Sequence, residues 1–222
     1  MTRVVVKLGG RVAADSVGLV LERHAAGDEV VVVHGAGPQI TAELEARGLR
    51  TRFVGGRRFT DLATLAVVRE SLLAVGSELS AALGPTALQL VGDDIGLEAL
   101  PLPGLGLVGR PLACPSVAIE TALADRRIPV VTPIAVGPLN VNADEAAAAL
   151  AAGLGADRLV FVSDVPGVLL DGTVASRLHV DRASELLDAG SFEGGIVPKL
   201  LAAVRAARLG IEAEIGETAV VA

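Results

Sequence analysis

The stretch VVVKLGG at residues 4–10 decides the fold, because three valines run directly into a lysine and two glycines. Similar runs follow at residues 30–38 (VVVVHGAGP), 128–133 (IPVVTP) and 158–167 (RLVFVSDVPG). Short apolar runs that end at glycine or proline are typical of strands buried on both faces of a parallel sheet. The predicted strands cover residues 3–7, 29–33, 128–132 and 158–162.

Segments rich in Ala, Leu, Glu and Arg separate these strands and predict helices. The predicted helices cover residues 16–24, 38–47, 62–83, 117–125, 143–154 and 198–209. Weaker patterns predict a strand at 88–90, a hairpin of 168–170 with 173–175, and an edge strand at 218–222. Strands that alternate with helices in this way predict an α/β fold, with a mostly parallel sheet and helices on both of its faces.

Composition narrows the class of protein. The 222 residues are 51% hydrophobic and 2% aromatic, with a formal net charge of −7. This excludes a disordered chain and argues against a surface for nucleic acid or anionic membranes. The single cysteine, Cys114, excludes an internal disulfide and a cysteine-based metal cluster. No apolar stretch approaches the ~20 residues of a membrane span and no signal peptide is recognised, so we expect a cytoplasmic protein.

The glycine-rich loops share one position, the C-terminal ends of predicted strands. Ligands of open α/β sheets bind at that edge, where helix N-termini present free backbone N–H groups. Lysine is rare: 17 of the 19 basic residues are arginine, which leaves Lys7 and Lys199. Lys7 ends a predicted buried strand and Lys199 lies in the first turn of a predicted helix. A cation is unfavourable at either place unless an anion faces it, so both lysines indicate a phosphate or carboxylate ligand.

Other motifs are less specific. Residues 104–109 match G-x-G-x-x-G, but prolines flank them, so we interpret this segment as an irregular loop and not as a dinucleotide site. The two arginines of residues 55–61 (GGRRFTD) either clamp a carboxylate or are solvated. The polar residues at 140–144 (NVNAD) either only cap a helix or also bind a ligand. His34 either donates to a substrate or satisfies carbonyls of its own loop.

Six motifs occur along the chain in an order that is typical of one protein family. They are VVVKLGG, VVVHGAGP, GGRRFTD, LNVNADEAAAALA, VFVSDVPGVL and GGIVPKL. Over residues 3–209 this order resembles the amino acid kinase family, most closely the branch that phosphorylates N-acetyl-L-glutamate. The resemblance implies an open αβα sandwich formed by one domain, residues 1–222. Its first half, about 1–137, would bind substrate and form a dimer, and its second half, about 138–222, would bind the nucleotide.

The reaction implied by the resemblance transfers a phosphoryl group from ATP to the side-chain carboxylate of N-acetyl-L-glutamate, the second step of arginine biosynthesis. Such a carboxylate is ionised at pH 7 and needs no general base. Positioning and positive charge are what phosphoryl transfer requires. Mg²⁺ would be held mainly by the ATP phosphates and water.

The resemblance also implies roles for individual residues. Lys7 and Lys199 would stabilise the transferring phosphoryl group from the substrate and nucleotide sides, and Asp144 would organise both lysines. The residues implied to bind the substrate are Ala36, Gly37, Arg58 and Asn140. Those implied to bind the nucleotide are Gly9, Gly10, Asp164, Val165, Pro166, Gly167, Val168, Leu169, Ser191, Phe192 and Glu193.

The sequence departs from the family pattern in three places. Ala36 stands where the family usually has glycine. Only residues 210–222 follow Leu209, where the family usually adds a strand, a turn and a helix before its last strand. No helix precedes the first strand, and that helix accompanies arginine feedback and hexamer assembly in part of the family. We therefore expect a homodimer that arginine does not inhibit.

Two other functions stay open. A kinase of the same family that acts on aminoadipate or glutamate attached to an acidic carrier protein would share both lysines and Asp144. It should also present a basic rim, which the net charge of −7 disfavours. A non-catalytic, ligand-binding relative would accommodate the short C-terminus, but it would not need Lys7, Lys199 and Asp144.

Overall fold

A computed structural model of the chain describes residues 1–10, 14–162 and 165–222. Within these ranges the strands are β1 (Arg3–Leu8), β2 (Glu29–His34), β3 (Phe53–Val54), β4 (Arg57–Arg58), β5 (Ala87–Val91), β6 (Ala99–Pro101), β7 (Val108–Pro111), β8 (Ile128–Thr132), β9 (Ile134–Ala135), β10 (Leu139–Val141), β11 (Arg158–Val162), β12 (Leu169–Leu170), β13 (Thr173–Val174), β14 (Arg177–His179), β15 (Glu212–Ile215) and β16 (Thr218–Val221). The helices are α1 (Ala14–Ala25), α2 (Gly37–Ala46), α3 (Leu62–Leu83), α4 (Val117–Ala124), α5 (Ala143–Gly153), α6 (Val180–Asp188) and α7 (Ile196–Arg208).

The central sheet has eight strands in the order β14-β16-β15-β11-β1-β2-β8-β5. The six strands from β15 to β5 run parallel, whereas β16 pairs antiparallel with β15 and β14 runs parallel to β16. β1 lies between β2 and β11, so the chain builds the sheet outward from β1 in both directions. Such a change of direction is where open α/β sheets bind ligands.

The core lies on both faces of this sheet. Successive residues of a strand point to opposite faces. Val5 and Val31 pack on the face that carries α4, α5, α6 and α7. Val4 and Val30 pack on the opposite face with α1 and α3. The predicted αβα sandwich with a mostly parallel sheet is therefore confirmed.

Several local predictions are corrected. The predicted strand at 218–222 is present as β16, but its predicted edge position is wrong, because β14 pairs outside it. Helix α6 and strand β15 were not predicted. Helix α6 packs against α7 and fully buries only Val180 and Ala183. It is short and mostly polar, although its apolar residues follow the helical period, so the pattern was present and was missed. The short β15 alternates glutamates with Ala213 and Ile215, and with β16 it forms a hairpin that completes the sheet after Leu209.

The remaining sequence predictions agree with the structure. Each predicted helix is present within two residues of its expected ends, and the weak hairpin appears as β12 and β13. Residues 104–107 lie in the connection from β6 to β7, whereas residues 108–109 already belong to β7. The predicted loop is therefore confirmed for residues 104–107, and the motif leads into a strand, not into a helix.

Helix α5 ends in close contact with another part of the chain. A Cβ atom added at Gly153, its last residue, would lie 2.1 Å from the carbonyl oxygen of Cys114 and 2.6 Å from its carbonyl carbon. Backbone atoms cannot rotate away as a side chain can. This position therefore needs glycine, and the contact fixes where α5 lies on the sheet.

We expect Gly153→Ala to lower the free energy of unfolding by about 3 kcal/mol, because the added methyl group forces a backbone shift in a packed region. Urea unfolding would measure the change. Gly18→Ala in α1 is the matched control, since a Cβ atom there meets no heavy atom within 4 Å. The control should gain about 0.5–1 kcal/mol from reduced chain entropy. A Gly153→Ala protein as stable as the wild type would contradict the assigned packing.

The side chain of His34 is fully buried under helix α3. Its Nε2 lies 3.3 Å from Oγ1 of Thr132 on the neighbouring β8. Burial lowers the pKa of His34 from 6.5 to about 4; the charge of Lys7 lowers it too, whereas a hydrogen bond with the Gly35 backbone raises it. His34 is therefore a neutral residue of the packed interior, and it does not line the cavities described below.

The lowered pKa of His34 makes stability depend on pH. The unfolded chain binds a proton at His34 below pH 6.5, whereas the folded protein does so only near pH 4. The contribution of His34 to the free energy of unfolding is therefore fully present above pH 6.5. About 3 kcal/mol of it is lost as the pH drops to 4. We expect His34→Asn to show a shallower loss between pH 7 and 4.5 in urea unfolding. Equal slopes in the wild type and His34→Asn would contradict the assignment.

Candidate functional site

A cavity of about 600 Å³ opens at the C-terminal edge of the sheet, beyond β1, β2 and β10. It contains all six residues predicted for the substrate side and its chemistry. These are Lys7, Ala36, Gly37, Arg58, Asn140 and Asp144. They lie far apart in the sequence. Lys7 lies in β1 of the central sheet, and Ala36 and Gly37 follow β2 of the same sheet. Arg58 lies in the β3–β4 hairpin, and Asn140 lies in β10, which belongs to a separate four-stranded sheet.

Lys7 and Asp144 form an ion pair at this cavity. Lys7 Nζ lies 2.9 Å from Asp144 Oδ1, and the two residues are only 6% and 5% exposed. Asp144 lies in the first turn of α5, where the helix dipole favours an acidic side chain. The Asn142 side chain caps the helix by accepting hydrogen bonds from the backbone N–H groups of Asp144 and Glu145, at 2.9 and 3.1 Å. The NVNAD motif thus both caps a helix and lines the cavity.

Arg58 is buried without a carboxylate partner among the described residues. Its guanidinium donates to Oγ1 of Thr41 at 2.8 Å and Oγ1 of Thr51 at 3.2 Å, and it lies 4.8 Å from the Phe53 ring centre. Burial lowers the pKa of Arg58, because removal from water disfavours the charged guanidinium. A buried guanidinium in a cavity wall is suited to bind a carboxylate through paired hydrogen bonds.

Two further predicted residues complete this end of the cavity. The Asn140 amide donates to Oγ1 of Thr60 at 3.0 Å, and Thr60 Oγ1 donates to the Arg58 carbonyl oxygen at 2.9 Å.

Ala36 is the N-cap of α2, and no side chain caps this helix. Its φ of −143° is open to any residue, so alanine fits where the family usually has glycine. The backbone N–H groups at the start of α2 thus remain available to an anion.

A second cavity, of about 540 Å³, contains Lys199 and most residues predicted for the nucleotide. The predicted residues that line it are Val165, Gly167, Leu169, Ser191, Phe192 and Glu193. Lys199 Nζ donates to the Gly195 carbonyl oxygen at 3.2 Å. The loop after β11 and the N-terminus of α7 together form this cavity.

Some predicted nucleotide residues lie elsewhere. The Val168 side chain is in the core, and its N–H donates to Thr218 Oγ1 at 2.8 Å. The Pro166 carbonyl accepts from the Glu217 N–H at 2.7 Å. Neither residue lines a described cavity, and neither do Gly9 and Gly10, which form the turn after β1. Asp164 lies outside the described residues.

A third cavity, of about 550 Å³, joins the other two. It shares Gly56, Arg57 and Asn142 with the first cavity, and Phe192, Glu193 and Gly195 with the second. Because β1 and β11 are parallel neighbours, both ligand cavities open at the same edge of the sheet. Two anionic ligands, one in each cavity, would meet above the end of β1.

Sequence reasoning missed two residues near this site. The Gln39 side-chain amide donates to the Gly10 carbonyl oxygen and so connects α2 to the turn after β1. Glu145 binds Arg57, one of the two arginines that the sequence predicts either to clamp a carboxylate or to be solvated. Gln39 directly follows the HGAGP motif and Glu145 directly follows Asp144, so closeness to a motif was the available signal. Their contacts depend on chain segments distant in sequence.

The described residues hold no group of three or more His, Cys, Asp or Glu side chains arranged to bind a metal ion. Across the same residues, no helix has the length and apolar character needed to cross a membrane.

Comparison with known proteins gives consistent results. The chain matches the amino acid kinase family over residues 2–217. Acetylglutamate kinase of Roseiflexus castenholzii is 44% identical over 194 residues, which cover 82% of this chain and 75% of that protein. Acetylglutamate kinase of Rubrobacter xylanophilus is 41% identical over 229 residues, which cover 97% and 88%.

Solved structures agree with this match. The crystal structure of smu.665 from Streptococcus mutans UA159 superposes with a TM-score of 0.91 at 28% identity, covering 99% of this chain and 98% of that one. Carbamate kinase from Giardia lamblia, at 17% identity and a TM-score of 0.70 over 99% and 98% of the two chains, shares the fold. Because the family match spans almost the whole chain and two relatives exceed 40% identity over most of it, this chain belongs to the amino acid kinase family.

Proposed function

We propose that this protein transfers the γ-phosphoryl group of ATP to the side-chain carboxylate of N-acetyl-L-glutamate, giving N-acetylglutamyl 5-phosphate and ADP in arginine biosynthesis. The observation that carries the substrate class is Arg58, a buried guanidinium in the wall of the first cavity without a carboxylate partner among the described residues. Relatives of similar sequence are acetylglutamate kinases, which supports the same choice.

The charges of the first cavity support a particular orientation of the substrate. Its α-carboxylate would bind Arg58 beside Asn140, and its side-chain carboxylate would extend toward Lys7 and the N-terminus of α2. Among the described lining residues the acids are Asp144, which binds Lys7, and Glu45, which is exposed. No buried carboxylate is thus available for a free ammonium group. This favours an amino acid whose nitrogen is acylated over free glutamate or aspartate.

The reaction then needs alignment and charge. The side-chain carboxylate is ionised, since its ordinary pKa is about 4.3. One of its oxygens attacks the γ-phosphorus, the bond from this phosphorus to the β,γ-bridging oxygen breaks, and ADP leaves with the electron pair. Lys7 would neutralise the moving phosphoryl group from the substrate side and Lys199 from the nucleotide side. Asp144 would hold Lys7 in place.

The nucleotide would occupy the second cavity, with its phosphates near Lys199 and the N-terminus of α7. The described residues offer no set of protein ligands for a resident metal ion. Mg²⁺ would therefore arrive on the ATP phosphates, and no protein residue is assigned to it. We further propose a homodimer, as the resemblance to the family implies.

ATP-dependent acyl phosphate formation, trapped with hydroxylamine, tests this proposal. We expect signal with N-acetyl-L-glutamate and none with glutamate, aspartate or aminoadipate. Arg58→Gln should raise the KM for N-acetyl-L-glutamate about 10- to 100-fold, because charge-assisted hydrogen bonds to the α-carboxylate are lost. The KM for ATP should change less than twofold.

Arg47→Gln is the matched control, since Arg47 forms only surface ion pairs with Glu43 and Glu70. Its kinetic constants should equal those of the wild type. A wild-type protein that binds ATP but phosphorylates neither N-acetyl-L-glutamate nor glutamate, aspartate or aminoadipate would overturn the proposal. Carrier-bound aminoadipate or glutamate would then be assayed first, and a non-catalytic role considered second.

A further inference from the structure

Two adjacent acidic residues, Asp144 and Glu145, lie in the first turn of helix α5, and the reaction described above uses only Asp144. Asp144 binds Lys7, whereas Glu145 points to a different partner. Glu145 is 6% exposed, and a buried carboxylate is costly unless it is paired. Its contacts therefore indicate what this second acid does.

Glu145 binds Arg57 through both carboxylate oxygens. Arg57 Nη1 donates to Oε2 at 3.0 Å, and Nη2 donates to Oε1. Arg205 Nη1, on α7, lies 3.8 Å from the same Oε1. A paired, largely buried arginine–carboxylate contact has a defined geometry and is stronger than an exposed ion pair. One carboxylate thus brings together α5, α7 and the strand that carries Arg57.

Arg57 belongs to the hairpin of β3 and β4, residues 53–58, which covers part of the first cavity. The hairpin turns at Gly55 and Gly56, both with positive φ, and each of its strands has only two residues. Phe53 is 55% exposed, so the hairpin buries little apolar surface of its own. Such an element needs fixed contacts with the body of the protein to hold one position.

The two arginines of the hairpin provide such contacts on different sides. Arg58 binds Thr41 of α2 within the substrate cavity, and Arg57 binds Glu145 of α5 next to the turn. Arg57 also lines both the first cavity and the cavity that joins it to the nucleotide side. The Arg57–Glu145 pair thus lies where the substrate cavity would have to open.

We propose that Glu145 and Arg57 are positioning residues that hold the hairpin closed over the substrate. This inference rests on the proposed function for the identity of that substrate. The pair raises the fraction of molecules whose hairpin is closed, and apparent affinity scales with that fraction. The pair should therefore raise the affinity for the acylated amino acid and not the affinity for ATP, because no residue of the hairpin lines the second cavity.

Steady-state kinetics of Glu145→Gln, Arg57→Leu and the double variant test the proposal. Each should raise the KM for N-acetyl-L-glutamate about tenfold, the effect of losing a charge-assisted contact. The double variant should be no worse than Glu145→Gln, because both single changes remove the Arg57–Glu145 pair and only Glu145→Gln also removes the contact with Arg205. The KM for ATP should stay within twofold. Arg57→Lys, which keeps the charge, should recover part of the affinity.

A different pattern would overturn the inference. If Arg57→Leu lowers kcat while Glu145→Gln leaves all constants unchanged, Arg57 acts directly on the reacting groups. Unchanged KM values in both variants would mean that the pair does not control the hairpin. Arg57 is partly exposed, so Arg57→Leu remains informative if Glu145→Gln fails to fold.

Hydrogen exchange of residues 53–59 in the ligand-free protein tests the pair independently of any substrate. Glu145→Gln should speed exchange in this segment, for example at the Phe59 N–H, which donates to the Arg52 carbonyl oxygen. Glu70→Gln, at an exposed ion pair, should leave it unchanged. Equal exchange in Glu145→Gln and wild type would overturn the inference. Inactivity of the wild type toward N-acetyl-L-glutamate would instead refute only the proposed function.

Discussion

A lysine buried in the central strand of a sheet needs a carboxylate within reach, and Asp144 provides one 2.9 Å from Lys7. The position of Asp144 depends in turn on helix α5. Asn142 fixes the start of this helix by capping it, and Gly153 fixes its end by packing against the Cys114 backbone. The same first turn carries Glu145, which reaches Arg57 of the hairpin. The first turn of α5 thus positions residues on two sides of the substrate cavity.

The sheet topology explains why two ligand sites lie side by side. β1 pairs with β2 on one side and with β11 on the other, all parallel, so their C-terminal ends meet at one edge. The chain supplies the first cavity mainly from segments before residue 145 and the second from segments after residue 164. A phosphoryl group passing between them crosses the end of β1, where Lys7 lies. This geometry favours direct transfer between two bound molecules.

Local sequence patterns were sufficient to predict the buried strands and six helices, because apolar runs and glycine loops specify these features directly. The residues of the first cavity were predicted from the order of six motifs that resembles the amino acid kinase family, since the local patterns alone left their roles open. Local patterns were insufficient where tertiary contacts determine the position of a strand or the partner of a side chain. The edge position of β14 depends on pairing with β16, and Val168 uses its backbone to bind Thr218. The Arg57–Glu145 contact joins residues 88 positions apart. No local pattern indicates that this pair forms.

The central claim is that Asp144 fixes Lys7 for phosphoryl transfer without contributing much to binding. The most direct test is kcat for Asp144→Asn, measured together with the dissociation constants of ATP and N-acetyl-L-glutamate. We predict that kcat falls at least about 100-fold, as when one oriented charge is removed from a transition state, while both dissociation constants change less than about fivefold. A kcat within tenfold of the wild type would contradict the account.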